Sequence, residues 1–246
     1  MSIPLETPRK GPNAARRSRE LRLLRGGEHV LPAAVEGSRR ALNVVVAAIL
    51  VVVSFPLWVL IAIAIKLTSR GPVIYTQTRI GLDARDTGVR SDDPRRRRDL
   101  GGRLFKIYKF RTMHVDAERD TGAVWAAPDD GRTTPVGRFL RLYRLDELPQ
   151  LINVLRGEMN VVGPRPERPT IFDTLRQEIP NYRLRQRARP GITGHAQVNL
   201  TYDSSIDDVR RKIHFDLEYI RRQSFWTDVK IMAQTLPVML FRRGSR

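Results

Sequence analysis

The chain has 246 residues and carries 44 Lys and Arg against 26 Asp and Glu, for a formal net charge of +18. It contains no cysteine, which excludes a disulfide scaffold, a Cys-based zinc site and a thiol nucleophile. The hydrophobic fraction of 41% is enough for a packed core, and the arginine-rich positive charge indicates an anionic partner: a phosphate-bearing ligand, nucleic acid or a membrane surface. Composition does not choose among these three.

The first predicted element, residues 1–38, is a basic N-terminal arm. Residues 1–40 contain nine Lys or Arg and four Glu among scattered Pro and Gly. Each cation near an anionic bilayer surface contributes about 1 kcal/mol of attraction. The arm is therefore interpreted as a contact with lipid headgroups, with a solvated tail that has no task as the alternative.

The next predicted element, residues 39–68, includes 22 consecutive uncharged residues, from 44 to 65. A continuous helix of that length reaches roughly 33 Å, enough to cross a hydrocarbon core of about 30 Å. Pro56 sits in its middle, where it kinks or breaks a helix, and Ser54 could bond a freed carbonyl. Basic residues flank both ends, whereas a single crossing concentrates them on the cytoplasmic side. This pattern favours a re-entrant helix that returns at Pro56 over a plain spanning anchor.

Two short strands are predicted beyond the apolar segment. Residues 71–81 and 105–113 both alternate apolar and polar side chains, as a strand with one buried face does. One face of the second strand is predicted to hold Phe105, Ile107, Lys109 and Arg111. Residues 82–103 are polar and include a run of four arginines, so we expect a flexible loop whose arginines face solvent.

Helices dominate the remainder of the chain. Apolar spacing predicts helices over residues 136–143, 149–157, 168–187 and 206–222. Pro149 suits a first helical turn and Gly157 a helix end. Residues 224–243 are apolar with few charges and are interpreted as a helix that lies in the membrane interface. No internal repeat or linker divides residues 69–246, which are predicted to form one domain.

Two adjacent carboxylates, Asp146 and Glu147, stand immediately before the helix expected at Pro149. Acidic residues at a helix start usually stabilise its first turn, because unpaired amides and the helix dipole favour negative charge there. The alternative is catalytic. From a helix terminus both side chains could reach one ligand, so that one carboxylate attacks a substrate while the other holds a metal ion.

Two segments rich in proline and glycine carry arginines that could bind an anion. In residues 161–168, two prolines fix the backbone around Arg165, and a preset arginine binds phosphate or carboxylate well. Residues 187–197 repeat the arrangement around Arg189, in a loop whose amides could approach an anion closely. A structural turn with solvent-facing arginines is the alternative for both. The four histidines lack metal-ligand spacing, and none is interpreted as a ligand.

Five ordered motifs resemble those of the bacterial sugar transferases, the monotopic phosphoglycosyl transferases. They read SRGPVIYTQTRIG, FKIYKFRTM, LDELPQLINVLRGEMNVVGPRPE, RPGITGHAQVN and KIHFDLEYI, and the likeness extends over about residues 39–240. The resemblance implies an α+β monotopic membrane protein. In that family a re-entrant helix-break-helix, here with its break at Ser54 and Pro56, precedes a cytoplasmic, mainly helical catalytic domain with a small β element, here residues 69–246.

The resemblance also implies a reaction. A sugar 1-phosphate would pass from a UDP-sugar to undecaprenyl or another polyprenyl phosphate, with release of UMP and with Mg²⁺ as cofactor. The site would face the cytoplasm at the bacterial inner membrane and start the synthesis of exopolysaccharide, capsule, O-antigen or a glycoconjugate. The expected partners are the nucleotide sugar, the polyprenyl phosphate and inner-membrane lipid, but not nucleic acid. Whether the chain forms a homodimer is left open.

Carried onto this chain, the motifs make Asp146 the nucleophile that forms a phosphosugar ester. Glu147 would hold Mg²⁺ against the diphosphate. The substrate-binding positions implied are Arg111, Arg141, Arg165, Arg189 and Asp216. Asp216 is in addition a candidate to support the metal site.

Three departures from the family pattern leave the choice of sugar undecided. Phe55 separates Ser54 from Pro56, Asn43 replaces a frequent aspartate, and AQVNLTYD replaces the family's AQVNGR. The competing hypothesis is a basic, membrane-tethered protein that binds nucleic acid or an acidic polymer, or serves as an inactive scaffold. Its support is the charge of +18, but the aromatic residues, 7% of the chain, show no stacking pattern among the basic ones.

Overall fold

The computed structural model describes residues 31–83, 102–115, 117, 130–200 and 206–240, with the backbone alone at 239 and 240. By its contacts the chain divides into residues 1–31 and 32–246, and the architecture below belongs to the second unit. Residues 1–30 of the predicted basic arm, most of the predicted arginine-rich loop and the end of the AQVNLTYD stretch lie outside the described residues, whereas residues 33–38 of the predicted arm form the start of a helix.

The first helix, α1 (Ala33–Thr68), runs through the apolar segment and includes Pro56 without interruption. Pro56 leaves the carbonyl of Val52 without its helical donor. The Ser54 hydroxyl does not fill that gap, because it donates to the carbonyl of Leu50. The expected break at Pro56 is therefore not a break in secondary structure, and the re-entrant path stays a prediction.

Helix α1 presents two different faces. Its buried positions lie toward both ends, at Arg39, Asn43, Ala47, Ile61 and Ile65. Between and opposite them are large exposed apolar side chains, among them Val45, Ile49, Val52, Val53, Phe55, Leu60, Ile63 and Leu67. By length and composition this helix could enter or cross a bilayer, and only 11% of its most apolar window is buried.

The C-terminal half of α1 is part of the domain core. Ile61 and Ile65 pack with Phe110 and Leu140 in one apolar cluster. Trp58 joins them edge-on, with its ring centroid 5.8 Å from that of Phe110. Burying each such side chain contributes roughly 1.5–3 kcal/mol, so the apolar helix and the rest of the domain stabilise each other.

The two predicted strands are confirmed as an antiparallel pair. They are β1 (Ile74–Ile80) and β2 (Leu104–Phe110), in register so that Ile74 lies opposite Phe110. Phe105 and Ile107 are buried, as their alternation predicts. Strand β2 thus presents one face to the core, whereas in β1 only Ile80 is buried.

A second, smaller sheet was not predicted. Strands β3 (Asn160–Val162) and β4 (Gly191–Thr193) run parallel, with Asn160 beside Gly191 and Val162 beside Thr193. Three residues are too few to show alternation, so nothing in the sequence pattern marks them as strands.

Helices form most of the remaining described chain. Their bounds are α2 Pro135–Leu142, α3 Gln150–Leu155, α4 Pro169–Glu178, α5 His195–Asn199, α6 Ile206–Arg221 and α7 Phe225–Leu240, with 3₁₀ turns at Leu145–Glu147 and Tyr182–Arg187. The single helix expected over residues 168–187 was wrong. Pro180 forces Ile179 into an extended conformation, and Asn181 then turns the chain with a φ of 68°. The expected mixture of helices with a small β element is confirmed.

Candidate active site

The two adjacent carboxylates lie on a sharp turn between α2 and α3. After α2, Arg144 adopts a left-handed conformation with a φ of 55°, which costs a non-glycine residue roughly 1–2 kcal/mol. This reversal leads into the 3₁₀ turn Leu145–Glu147, which carries both acidic side chains. Pro149 occupies the N-terminal capping position of α3, and neither carboxylate does. The interpretation of the pair as a simple helix cap is therefore wrong.

Glu147 is buried, with 6% of its surface exposed, and is bound by two cations. The Lys109 ammonium donates to its Oε1 at 2.8 Å, and the Arg165 guanidinium donates to both oxygens, reaching Oε2 at 3.2 Å. Burial alone would raise the pKa of Glu147, but Arg165 and Lys109 hold that pKa well below its usual range. Glu147 therefore stays charged.

Asp146 is as deeply buried, at 7% exposure, but is much less supported. Its Oδ2 lies 3.6 Å from Lys109 Nζ, an ion pair beyond hydrogen-bond length. Burial raises the pKa of Asp146; the Lys109 charge opposes this shift, and the Glu147 charge adds to it. Two neighbouring carboxylates whose pKa values are pushed in opposite directions are typical of a pair with different chemical roles.

The loop after β3 holds Arg165 in place. Pro164 and Pro166 flank it, as the sequence predicts for a preset arginine. Its carbonyl accepts a hydrogen bond from Arg185 Nη2 at 2.9 Å, and Arg185 Nε donates to Asp216 Oδ2 at 2.7 Å. The pair Asp146 and Glu147, called the dyad below, is thus connected through Arg165 to a second buried ion pair, that of Arg185 with Asp216.

Two further predicted arginines are Arg111, directly after β2, and Arg141, in α2. Arg141 Nε donates to Thr112 Oγ1 at 2.9 Å, and its charge acts on Asp146, whose pKa it lowers. Arg111 Nη2 donates to the Ser69 carbonyl at 2.8 Å. Arg111 therefore ties the end of α1 to β2, whereas Arg141 belongs to the electrostatic surroundings of the dyad.

The other two predicted binding residues contact different groups. Arg189 forms an ion pair with Glu36 on α1, and Asp216 pairs with Arg185. In these contacts Arg189 attaches α1 to the domain, and Asp216 supports Arg165 through Arg185. Their roles in binding substrate stay predictions.

Sequence reasoning missed two residues of this site. Lys109 was placed on a strand face, but the alternation of a strand does not indicate which side chain it will meet. Arg185 fell in a segment interpreted as a helix, and in a chain with so many arginines nothing marks it as buried. Lys109 lies in the motif FKIYKFRTM, but not at a position that the resemblance implies for the site, and Arg185 lies outside all five motifs.

A small pocket includes Arg165 in its wall, but neither Asp146 nor Glu147 lines it. Its lining includes Pro164, Arg165, Pro166, Glu167, Arg185 and Gln186. Burial would raise the pKa of Glu167, but Lys212 and Arg185 lower it to about 2, so this wall is ion-paired. Arg165 thus lines this pocket and also pairs with Glu147.

The donor set at the dyad suits Mg²⁺ that is bound together with a diphosphate. Within the described residues, no three His, Asp or Glu side chains form a group that could hold a metal. Mg²⁺ commonly uses one or two carboxylates with substrate phosphates and water. Glu147 Oε2 accepts one of the described hydrogen bonds, which leaves it a lone pair for such an ion. The two carboxylates are thus the donors that could hold a metal together with substrate phosphates, and Mg²⁺ at Glu147 stays a prediction.

Comparison with known proteins identifies the family. The sequence matches the model of the family described as "Bacterial sugar transferase" over residues 35–242. The chain belongs to the bacterial sugar transferase family. The resemblance inferred from the five motifs is confirmed.

Curated relatives are phosphotransferases named for different sugars. The chain is 41% identical over 225 residues to the UDP-glucose:undecaprenyl-phosphate glucose-1-phosphate transferase of Caulobacter vibrioides, covering 91% of this chain and 77% of that protein. It is 40% identical over 208 residues to the UDP-N-acetylgalactosamine-undecaprenyl-phosphate N-acetylgalactosaminephosphotransferase of Aeromonas hydrophila, covering 85% and 45%. It is also 41% identical over 200 residues to the UDP-glucose:undecaprenyl-phosphate glucose-1-phosphate transferase of Escherichia coli. That match covers 80% of this chain and 39% of that protein. The chain thus spans less than half of the last two relatives.

Proposed function

We propose that this chain moves a sugar 1-phosphate from a UDP-sugar to undecaprenyl phosphate, releases UMP, and so initiates the synthesis of a surface polysaccharide or glycoconjugate. One observation carries the proposal. A buried pair of adjacent carboxylates, with pKa values shifted in opposite directions, is held by Lys109 and Arg165 in a member of the bacterial sugar transferase family. The relatives named above are described as acting on a UDP-sugar and undecaprenyl phosphate.

The chemistry proceeds in two displacements at one phosphorus atom. A carboxylate oxygen of Asp146 attacks the β-phosphorus of the donor; as this O–P bond forms, the bond to the bridging oxygen breaks and that oxygen leaves with UMP. A phosphate oxygen of the lipid then attacks the same phosphorus and releases the Asp146 carboxylate. The product is a polyprenyl diphosphate sugar. A covalent intermediate allows one small site to take a water-soluble donor and a lipid acceptor in turn.

The surrounding cations support this chemistry. Phosphoryl transfer depends mainly on positioning and on neutralising charge. Lys109 lies between the two carboxylates, where its charge keeps Asp146 reactive as the anion. Mg²⁺ held by Glu147 would neutralise the diphosphate and stabilise the departing phosphate of UMP.

We also propose that α1 enters the inner membrane from the cytoplasmic face and returns to it. Support comes from the packing of both ends of α1 on one domain. Near its start, Arg40 Nη2 donates to the Val154 carbonyl at 2.6 Å, and near its end, Ile65 packs against Leu140. A helix with its ends on opposite sides of a bilayer could not make both contacts. The exposed apolar stretch between them would lie in lipid.

Labelling tests the membrane path. The natural chain has no cysteine, so single cysteines at Gly37 and Lys66 can be modified without background. Neither should react with a membrane-impermeant thiol reagent added to intact cells, and both should react after permeabilisation. Reaction of only one of them from outside would show that α1 spans the membrane.

A donor panel tests the reaction. Purified protein in lipid nanodiscs is given undecaprenyl phosphate, Mg²⁺ and UDP-glucose, UDP-galactose, UDP-N-acetylglucosamine or UDP-N-acetylgalactosamine, and released UMP is measured. We expect one or two donors to be used. Protein quenched with that donor before lipid is added should gain the mass of one sugar phosphate. Product formation without that adduct would contradict the covalent step, and no UMP from any donor would contradict the function.

A further inference from the structure

We propose that Asn43, on the membrane helix α1, is a positioning residue that sets Arg165 against Glu147 through strand β3. The inference rests on the proposed function, because it concerns the same site. It connects the packing of the apolar helix on the domain to the ion pair between Arg165 and Glu147.

Asn43 is fully buried and uses both ends of its amide. Its Oδ1 accepts from the backbone N–H of Val161 at 2.6 Å and lies 3.4 Å from that of Val162. Its Nδ2 donates to the Arg39 carbonyl at 2.7 Å, one turn earlier on α1. On this side of β3, the Asn43 side chain therefore supplies the hydrogen-bond acceptor that a neighbouring strand would otherwise provide.

The two sides of β3 are held by different partners. The amides of Asn160 and Gly163 donate to backbone carbonyls around β4, at 2.8 and 2.9 Å. On the opposite side, beside the bonds to Asn43, the Val162 carbonyl accepts from the Tyr219 hydroxyl at 3.0 Å. Removing Asn43 Oδ1 would take away the 2.6 Å acceptor of the buried Val161 amide and would free one side of the strand.

The path from β3 to Arg165 is short and stiff. Gly163 is packed so closely that an added Cβ would lie 2.3 Å from the Arg189 carbonyl oxygen. Pro164 and Pro166 restrict the backbone on either side of Arg165, and the Pro164 carbonyl accepts from the Gly191 amide at 3.0 Å. A shift of β3 is therefore passed to the Arg165 guanidinium instead of being absorbed by a flexible loop.

The neighbours of Asn43 favour an asparagine over an aspartate at this position. Asn43 Nδ2 lies 3.5 Å from Asp228 Oδ2, and its donors face two oxygen acceptors. The single variant Asn43→Asp would place a second carboxylate beside that of Asp228. The double variant Asn43→Asp with Asp228→Asn keeps an acceptor for β3 and keeps the total charge of the cluster, so it serves as the rescue variant.

A double-mutant cycle on the full chain in nanodiscs tests the proposal. The measured quantity is kcat for UMP release with Asn43→Leu, Arg165→Ala and the combined variant. Because a displacement near 1 Å can cost up to about a hundredfold in rate, we expect Asn43→Leu to lower kcat about tenfold in the wild-type background. With Arg165 already removed, it should lower kcat less than about twofold, since both changes act on one contact. Equal losses in both backgrounds would overturn the proposal.

Controls separate positioning from folding. Gln223→Leu removes an acceptor from Arg39 in the same buried cluster without touching β3, and it should lower the unfolding temperature but not kcat. The rescue variant should return kcat to within about threefold of wild type, because charge and acceptor are both conserved. If Asn43→Leu does not fold, Asn43→Ser replaces it in the cycle. Failure of the rescue variant, when folded, to restore kcat would contradict the role of the acceptor.

A measurement that needs no substrate distinguishes the two proposals. Asn43→Leu should speed hydrogen exchange of the backbone amides of Val161, Val162, Gly163 and Arg165, and Gln223→Leu should not. If wild-type protein releases no UMP but this exchange pattern is found, the proposed function fails and the connection through β3 stands. Unchanged exchange in folded Asn43→Leu would overturn the connection itself.

Discussion

Two clusters of buried charge lie in this domain, and they are built differently. Near the start of α1, Arg39 donates to Asp228, Gln223 and Tyr219, so each of its three guanidinium nitrogens has a partner. At the dyad, Glu147 binds both Lys109 and Arg165. Among the described contacts, Asp146 has only the Lys109 ammonium at 3.6 Å.

The difference indicates what each cluster does. A buried charge with all its hydrogen bonds made fixes the position of the groups around it, and removing one partner is costly. A buried carboxylate with incomplete support keeps lone pairs available for a reacting atom, at the cost of a raised pKa. The Arg39 cluster therefore holds the apolar helix α1 on the domain, and the incomplete support of Asp146 favours the proposal that it is the reactive group.

The largest expected effect is that of Asp146→Asn. The amide is a poor nucleophile, so turnover should fall by about three orders of magnitude or more, and no phosphosugar adduct should form. UMP release and mass spectrometry of quenched protein measure this. Substantial residual turnover would remove Asp146 as the nucleophile and with it the contrast between the clusters.

Loss of the Glu147 charge or of Mg²⁺ comes next. Glu147→Gln, or chelation by EDTA, should lower turnover by roughly two to three orders of magnitude, because an uncompensated diphosphate is costly in a buried site. Added Mg²⁺ should restore the chelated enzyme, but not the variant. Unchanged turnover in EDTA would show that arginine and lysine side chains neutralise the donor without a metal.

The pH dependence sharpens the comparison further. In the proposed reaction Asp146 acts as the carboxylate, and burial raises its pKa above the ordinary value near 3.8, so turnover should fall as the pH drops through a value above 3.8. Lys109 opposes that shift; Lys109→Met should move the acid limb of kcat to higher pH and lower the plateau roughly tenfold to a hundredfold. A limb that stays in place would mean that another group controls it.

The smallest expected effect on turnover is that of Gln223→Leu in the Arg39 cluster. Loss of a hydrogen bond to a buried charged group should lower the free energy of unfolding by about 1.5–3 kcal/mol. Turnover per folded molecule should change less than about twofold, since this residue lies outside the dyad and its cations. Chemical denaturation and UMP release measure the two quantities. A large loss of turnover at unchanged stability would contradict a purely structural cluster.

Parts of the fold were predictable because they depend on local pattern. The uncharged run predicted α1, and the alternation at Phe105 and Ile107 predicted β2. The helix expected near Pro149 is present as Gln150–Leu155. Strands β3 and β4 were not predictable, because a three-residue strand is defined by its partner and not by its own sequence.

The candidate site was predictable in its identity but not in its contacts. The family motifs selected Asp146, Glu147 and Arg165, which the fold brings together. They did not indicate that Lys109 would lie between the two carboxylates, or that Arg189 would pair with Glu36. The pairing of each carboxylate with a particular arginine or lysine depends on contacts between residues far apart in sequence, and the chain offers 44 basic residues.

The amino-acid sequence by itself determined the family, the apolar helix and the adjacency of the two carboxylates, because motif order, hydropathy and neighbouring positions are properties of the chain. Only the tertiary structure decided that one carboxylate is doubly ion-paired and the other barely supported. The physical reason is that burial and the distance to Lys109 and Arg165 set the pKa of each group, and these depend on segments that are far apart in sequence.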